Sequence, residues 1–146
     1  MTSSRRVLFL CTGNYYRSRY AEELFNHLAR TEGLAWCALS RGAAQREFPE
    51  NVGPMSSFAD NRLRAAGIIP EGATRYPQPC TLADFDNVDL VIALKEAEHR
   101  PLIELQFPEV AERVTYWHVD DIDVAHPSVA LAMLDDRVRD LVSSLK

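Results

Sequence analysis

The stretch that most constrains the fold of this chain runs from Val7 to Phe25 and reads "VLFLCTGNYYRSRYAEELF". Its first four residues form a continuous apolar run, which is typical of a strand buried on both faces of a parallel sheet. From Ser18 to Arg30 the apolar positions recur with helical spacing, and we expect Ser18 to cap this helix and Gly33 to end it. The sequence between them predicts a tight turn joining a strand to a helix.

The rest of the chain repeats this alternation of strands and helices. Further strands are predicted at 34–40 ("LAWCALS"), 88–94 ("VDLVIAL") and 113–119 ("RVTYWHV"). Helices are predicted from Pro54 to Gly67, around Pro101 and from Pro127 onward, and the segment 67–85 is predicted to be mostly loop. This order predicts an α/β fold, a single domain over residues 1–146 with a central parallel four-stranded sheet flanked by helices. Right-handed crossovers place the strand-to-helix turns along one edge of such a sheet, where these folds bind ligands.

The first of these turns has the chemistry of an oxyanion site. Helix N-termini present unpartnered N–H groups with partial positive charge, and Gly13 lets the turn curl so that these groups point inward. Arg17 adds a planar fork that can hold two phosphate oxygens at once. These donors favour the thiolate form of Cys11, which makes it a candidate nucleophile toward a bound phosphoryl group. The predicted phosphate-binding loop comprises Thr12, Gly13, Asn14, Tyr15, Tyr16, Arg17 and Ser18.

A plainer interpretation is available for the same residues. A cysteine and an arginine six positions apart are usually a buried thiol and a solvated cation. Here Gly13, Asn14 and Ser18 accompany them within a strand–turn–helix pattern, and this context favours the anion site.

Composition excludes several other classes of protein. The net charge of −5 disfavours nucleic acid as a partner, and no apolar run approaches the roughly 18 residues needed to cross a membrane. Three cysteines and four scattered histidines have neither a disulfide framework nor metal-ligand spacing, so we expect no metal and free thiols. The four-residue apolar run near the N-terminus is too short for a signal peptide, and we therefore expect a cytoplasmic protein without membrane contact.

The loop resembles the active site of the low-molecular-weight protein tyrosine phosphatases, whose signature is an apolar strand followed by C-x-G-N-x-C-R-S-P. The similarity extends over most of the chain, through "AEELFNHLA", "LSRGAA", "ADFDNVDLVIAL" and "TYWHVDD". It implies a fold of the phosphotyrosine protein phosphatase I type and a phosphatase that needs no metal or cofactor. The substrate implied is a phosphotyrosine protein or a small aryl phosphate, with phosphate and vanadate as inhibitors.

The resemblance also implies roles for individual residues. Cys11 attacks phosphorus and forms a cysteinyl-phosphate, while Arg17 and the loop amides bind the equatorial oxygens. Asn14 and Ser40 organise the loop, and Ser18 assists the departing thiolate. The family's general acid is an aspartate followed by proline, just beyond a strand tryptophan. Aligning the tryptophan of "YWHVDDID" makes Asp121 the expected acid, and the alternatives Asp120 and Asp123 stay open.

Four positions depart from the family pattern. Ile122 replaces the proline after the acid, and no tyrosine follows Asp121, so the aromatic wall of the pocket is expected from Tyr15 or Phe48, or from Tyr16. Tyr16 also replaces the second cysteine of the loop, which removes the adjacent redox partner of the nucleophile. Arg19 replaces the proline after Ser18, and we expect an extra cation at the mouth that favours dianionic substrates.

Two other functions are compatible with the loop. Thioredoxin-coupled arsenate reductases share the fold but use two further cysteines on a mobile segment, where this chain has only Cys80. A phosphate-binding or phosphopeptide-binding module with decayed catalysis is the other alternative, because Ile122 and the missing tyrosine alter the acid loop.

Overall fold

The computed structural model describes residues 4–146 and shows four strands alternating with five helices. The strands are β1 (Arg5–Cys11), β2 (Trp36–Gly42), β3 (Leu90–Ala93) and β4 (Val114–Tyr116). The helices are α1 (Arg17–Glu32), α2 (Ser57–Ala65), α3 (Leu82–Asp86), α4 (Glu96–Gln106) and α5 (Pro127–Ser144), with a short 3₁₀ turn at Ala111–Arg113.

The four strands form one parallel sheet in the order β2-β1-β3-β4. Cys11 ends β1 in register with Gly42 of β2, and Leu10 pairs with Ala93 at the end of β3. The strand order reverses beside β1, and ligand sites in open α/β sheets lie at such a point. The predicted α/β class and four-stranded parallel sheet are confirmed.

Side chains of β1 are buried on both faces of the sheet, as its apolar run predicts. Val7 and Phe9 pack with α1, α2 and α5, whereas Leu8 and Leu10 face the opposite layer with α3 and α4. A rigid strand buried on both sides therefore fixes the position of Cys11, its last residue. None of the helices within residues 4–146 combines the length and apolarity that a membrane crossing requires.

Several predicted boundaries are wrong for local reasons. α1 begins at Arg17, one residue before Ser18; Tyr16 occupies the N-cap position without a side-chain capping bond, and the Ser18 hydroxyl bonds to Cys11 and Asn14 instead. α2 begins at Ser57 rather than Pro54, since the Ser56 hydroxyl accepts from the Phe58 N–H and caps it.

Two further differences lie in the second half of the chain. The predicted loop contains α3, whose start is tied by the Thr81 N–H donating to the Asp84 carboxylate at 2.8 Å. β4 has three residues instead of seven, although contact with the β3 side continues past its end: the Trp117 N–H donates to the Ala93 carbonyl at 2.9 Å and the Val119 N–H to the Leu94 carbonyl at 2.7 Å. The predicted end of α1 at Gly33 is confirmed by its left-handed backbone, φ +69°.

Candidate active site

The loop between β1 and α1 is held in a tight curl around Cys11, which is only 3% exposed. Asn14 takes a left-handed conformation with φ +52°, which asparagine tolerates better than most residues. The loop also packs directly against β2, where a Cβ added to Gly42 would lie 3.0 Å from the Thr12 carbonyl oxygen. The backbone of 43–44 donates to the carbonyls of Cys11 and Thr12 at 2.7 and 3.1 Å. Glycine at position 42 therefore permits the close approach that braces the loop.

A buried hydrogen-bond chain leads from the loop interior to the thiol. The Asn14 side-chain amide donates to Ser18 Oγ at 3.0 Å and to Ser40 Oγ at 2.9 Å, and its oxygen accepts from the Gln78 N–H at 3.0 Å. Ser18 Oγ lies 3.0 Å from Cys11 Sγ. Because Ser18 already accepts from Asn14, its own proton is free to be donated to a thiolate.

A buried ion pair stands behind this chain. The Ser40 hydroxyl donates to Glu22 Oε1 at 2.5 Å. The same carboxylate accepts from Arg75 Nη2 at 2.6 Å and from Nη1 at 3.0 Å. Glu22 and Arg75 thus connect α1 and the segment before α3 to the residues that shape the loop. Sequence reasoning missed both, since nothing local links positions 53 residues apart.

Arg17 is buried beneath the loop with its guanidinium held by protein acceptors. Nη1 donates to the Val119 carbonyl at 3.0 Å and to Glu98 Oε1 at 3.2 Å, and Nη2 donates to Glu98 Oε2 at 2.6 Å. Burial would lower the pKa of Arg17, but the negative charges of Cys11, Glu98 and Asp121 raise it, so the cation persists. Within the described chain the buried Nε–H has no acceptor, which leaves one strong donor available for an anion.

Glu98 and His99 join the site from α4 and were missed in the sequence. Thr12 donates its hydroxyl to Glu98, and His99 Nε2 lies 3.1 Å from the same carboxylate oxygen. The order of the elements could have indicated them. Because α4 follows β3, and β3 pairs with β1, the first turn of α4 lies beside the loop that follows β1.

A cavity of about 320 Å³ opens onto the thiol. Cys11 and Arg17 line its floor, and Tyr15, Phe48 and Asp121 contribute to its walls. The Tyr15 hydroxyl donates to the Val52 carbonyl at 2.5 Å, which fixes the ring. The structure thus brings the sequence-predicted nucleophile, cation and acid together, and the three candidate aromatic residues Tyr15, Tyr16 and Phe48 all line the same cavity.

The three neighbouring aspartates differ in their surroundings. Asp121 lines the cavity with a side chain 38% exposed, and its Oδ2 lies 3.5 Å from Arg17 Nη2. Asp120 pairs instead with Lys95 Nζ at 2.6 Å, and this hydrogen bond lowers the pKa of Asp120. Asp123 is exposed and is not among the residues lining the cavity. Among the three, Asp121 alone lies on the wall of the cavity that contains the thiol.

Tyr16 lies deeper than Tyr15, with its ring in the core formed by α1, α2 and α5. Its edge also lines the cavity. Burial, and then the negative charge of Asp121, raises the pKa of Tyr16 to about 12, so the phenol stays neutral. Tyr16 is therefore mainly a core residue, and Tyr15 and Phe48 form more of the cavity wall.

The expectation that Arg19 adds a cation at the mouth is wrong. Its side chain is completely buried and donates to the carbonyls of Pro54 and Gly72 at 3.2 and 2.6 Å. Burial lowers the pKa of Arg19, and the nearby cation of Arg75 lowers it further. Arg19 therefore holds two loops against α1 and is not available to a substrate.

Cys80 is buried in the layer on the opposite side of the sheet from Phe9. Burial, and then the negative charge of Asp84, raises the pKa of Cys80 to about 12, so the thiolate form is suppressed at neutral pH. This environment disfavours Cys80 as a member of a redox relay.

A second cavity of about 570 Å³ adjoins the first and shares Thr12, Gly13, Phe48 and Asn51 with it. Neither Cys11 nor Arg17 lines it. Of the two cavities, only the smaller one is lined by the candidate nucleophile and its arginine, and Phe48 lines both.

The chain is similar to known phosphatases. The model of the family described as "Low molecular weight phosphotyrosine protein phosphatase" matches residues 6–145. A protein-arginine-phosphatase of Bacillus subtilis (strain 168) is 29% identical over 152 residues, which cover 96% of each chain.

Two solved structures have a fold similar to that of this chain. A low molecular weight protein tyrosine phosphatase from T. tengcongensis superimposes with a TM-score of 0.81 at 29% identity, covering 97% of this chain and 100% of that one. A YwlE mutant from Bacillus subtilis gives a TM-score of 0.80 at 25% identity, with coverage of 97% and 99%.

Proposed function

Because the chain belongs to the low molecular weight phosphotyrosine protein phosphatase family, we propose that Cys11, Arg17 and Asp121 carry out its phosphatase reaction. Members of this family are cysteine-based phosphatases that need no metal. One observation supports the assignment most directly: Cys11, Arg17 and Asp121 line a single cavity, and the buried Nε–H of Arg17 has no acceptor within the described chain.

In the proposed first step the Cys11 thiolate attacks phosphorus, and a sulfur–phosphorus bond forms as the bond to the leaving oxygen breaks. Asp121 donates its proton to that oxygen, so a neutral phenol departs. The loop N–H groups and Arg17 stabilise the charge on the three equatorial oxygens, which is the main electrostatic contribution in phosphoryl transfer.

In the second step water attacks the cysteinyl-phosphate, and the Asp121 carboxylate takes a proton from that water. The sulfur–phosphorus bond breaks and the thiolate leaves, with inorganic phosphate as product. Ser18 stabilises the leaving thiolate by donating the hydrogen bond that already spans 3.0 Å in the free enzyme. Asn14 keeps Ser18 oriented by donating to its oxygen, and Ser40 in turn accepts from the same Asn14 amide.

The substrate we propose is a protein phosphotyrosine or a small aryl phosphate, with phosphate and vanadate as inhibitors. Tyr15 and Phe48 form aromatic walls that suit the flat face of a phenyl ring, and Ile122 adds apolar surface. The similarity to a protein-arginine-phosphatase makes phosphoarginine the second candidate. A guanidinium leaving group needs carboxylates near the mouth, and Glu50 and Asp121 are the two acidic residues lining the cavity.

The test compares release of phosphate from an aryl phosphate, a phosphotyrosine peptide and a phosphoarginine peptide, with chelator present. We expect Cys11→Ser to abolish turnover. Asp121→Asn should slow turnover by roughly 10²–10⁴-fold for poor leaving groups and far less for good ones, because only poor leaving groups need the proton. Asp123→Asn is the matched control and should keep the wild-type dependence on the leaving group.

Other outcomes would change the assignment. Wild-type rates for Asp121→Asn would transfer the acid role to Asp120 or Asp123. Phosphate binding without turnover of any substrate between pH 5 and 7 would support a binding module. Preference for the phosphoarginine peptide would change the proposed substrate class but leave Cys11 as the proposed nucleophile. Arsenate-dependent oxidation of thioredoxin that requires Cys80 would contradict the phosphatase assignment.

A further inference from the structure

The Glu98 carboxylate is satisfied almost entirely by groups of the active site. Its two oxygens accept from Nη1 and Nη2 of Arg17 at 3.2 and 2.6 Å, and Thr12 donates to it as well. The side chain is 28% exposed, and its hydrogen-bond partners in the described chain are Arg17, Thr12 and the neighbouring His99. Glu98 therefore contributes to the loop and its arginine far more than to the core.

His99 fixes the orientation of this carboxylate. The Lys95 N–H donates to His99 Nδ1 at 3.1 Å, so the proton of the neutral ring lies on Nε2. Nε2 is 3.1 Å from Glu98 Oε2 and can donate to it. Burial lowers the pKa of His99 more than the neighbouring Glu98 raises it, which keeps the ring neutral and a single donor.

The contacts of Glu98 determine which edge of Arg17 stays available. The terminal edge, formed by Nη1 and Nη2, is occupied by Glu98 and by the Val119 carbonyl. The other edge of the guanidinium is formed by the Nε–H and by the second hydrogen of Nη2. The Nε–H on this edge is buried and has no acceptor within the described chain. A guanidinium offers two parallel N–H bonds along either edge, so fixing one edge orients the other.

We propose that Glu98 is the positioning residue of the phosphatase reaction, holding Arg17 by its terminal edge so that the Nε edge meets the equatorial oxygens of the transferring phosphoryl group. This inference rests on the proposed function. It goes beyond it because Glu98 is not among the residues lining the cavity and acts through its bonds to Arg17 and Thr12.

This role predicts opposite effects on ground-state binding and on catalysis. The Glu98 charge repels an entering phosphate dianion, so removing it favours binding of inorganic phosphate. Removing it also lets Arg17 rotate out of line, and a misplacement of about 1 Å can cost on the order of 10²-fold in rate. Glu98→Gln keeps the shape of the side chain. Its amide, however, replaces one of the two acceptor oxygens that face Arg17 and Thr12 with an NH₂ group, which can only donate.

The experiment measures kcat and KM for an aryl phosphate, and binding of phosphate and vanadate by calorimetry. For Glu98→Gln we expect kcat to fall roughly 10–100-fold while phosphate affinity stays within about 3-fold of wild type or tightens. Vanadate can adopt the five-coordinate geometry of the transition state, so its affinity should weaken in step with kcat/KM. Glu98→Asp keeps the charge at shorter reach and should recover part of kcat.

Glu96→Gln is the matched control, because Glu96 lies two residues before Glu98 on α4 and has an exposed side chain paired to Arg100. It should leave all four quantities unchanged. Wild-type kcat/KM in Glu98→Gln would overturn the proposal, as would an equal loss of phosphate and vanadate affinity. If Glu98→Gln does not fold, Glu98→Asp decides alone: unchanged kcat together with unchanged vanadate affinity overturns the proposal. If the wild type hydrolyses nothing, the proposed function fails, and the two binding measurements still test how Arg17 is held.

Discussion

Removal of the Arg75 cation tests the buried ion pair behind the phosphate-binding loop. The Glu22 side chain is 7% exposed and that of Arg75 is 30% exposed, so Arg75→Met leaves a nearly buried carboxylate without its cation. Breaking a fully buried pair costs about 3–5 kcal/mol, and the partial exposure of Arg75 reduces this to roughly 2–3 kcal/mol. With m of about 1–3 kcal/mol/M, the urea midpoint should fall by roughly 0.7–3 M.

The assay is urea unfolding followed by circular dichroism, run as a double-mutant cycle with Glu22→Gln. The double variant should recover at least about 1 kcal/mol relative to Arg75→Met, because the unpaired charge is then removed as well. Arg137→Met, on the exposed face of α5, is the matched control and should stay within about 0.5 kcal/mol of wild type. A midpoint unchanged in Arg75→Met, or losses that simply add in the double variant, would refute the reasoning.

Two further predictions follow from the loop and its carboxylate. Gly42→Ala places a methyl group 3.0 Å from the Thr12 carbonyl oxygen, so it should displace the loop, cost about 1–3 kcal/mol in unfolding free energy and lower kcat/KM; a wild-type kcat/KM would contradict this. The pKa of Glu98 lies well below its ordinary value of 4.5: burial would raise it, but hydrogen bonds from His99, Arg17 and Thr12 outweigh burial. Its stabilisation is therefore present above about pH 4.5 and is lost as pH falls. The stability difference between wild type and Glu98→Gln, measured by urea unfolding, should shrink from pH 6 to pH 3, and a constant difference would contradict the assignment.

The residues that sequence reasoning could place are those whose partners lie nearby in the chain. The apolar run, the glycine of the turn and the helical spacing after it all act within 25 residues, and they predict both the sheet and the position of Cys11. Asp121 was predicted as the acid by aligning Trp117 with the tryptophan of the family, and the structure places it on the cavity wall.

Residues whose roles depend on distant partners were missed or misassigned. Glu98 meets Arg17 across 81 positions, and Arg75 meets Glu22 across 53. Arg19 shows the same limit, because its burial depends on carbonyls 35 and 53 positions away. A charged residue next to a catalytic loop in the sequence can be buried and bonded to the protein, or exposed and free to contact substrate. The three-dimensional contacts are needed to distinguish the two cases.

Two hydrogen-bond systems reach the phosphate-binding loop from different sides and end on different reacting groups. One runs from the Arg75 and Glu22 pair through Ser40 and Asn14 toward the thiol, and the other runs from α4 to Arg17. Neither includes Tyr15 or Phe48, whose rings line the cavity. Substitutions at these two aromatic positions should therefore change which leaving group fits while the hydrolysis of the cysteinyl-phosphate keeps its rate, since that step occurs after the leaving group has gone.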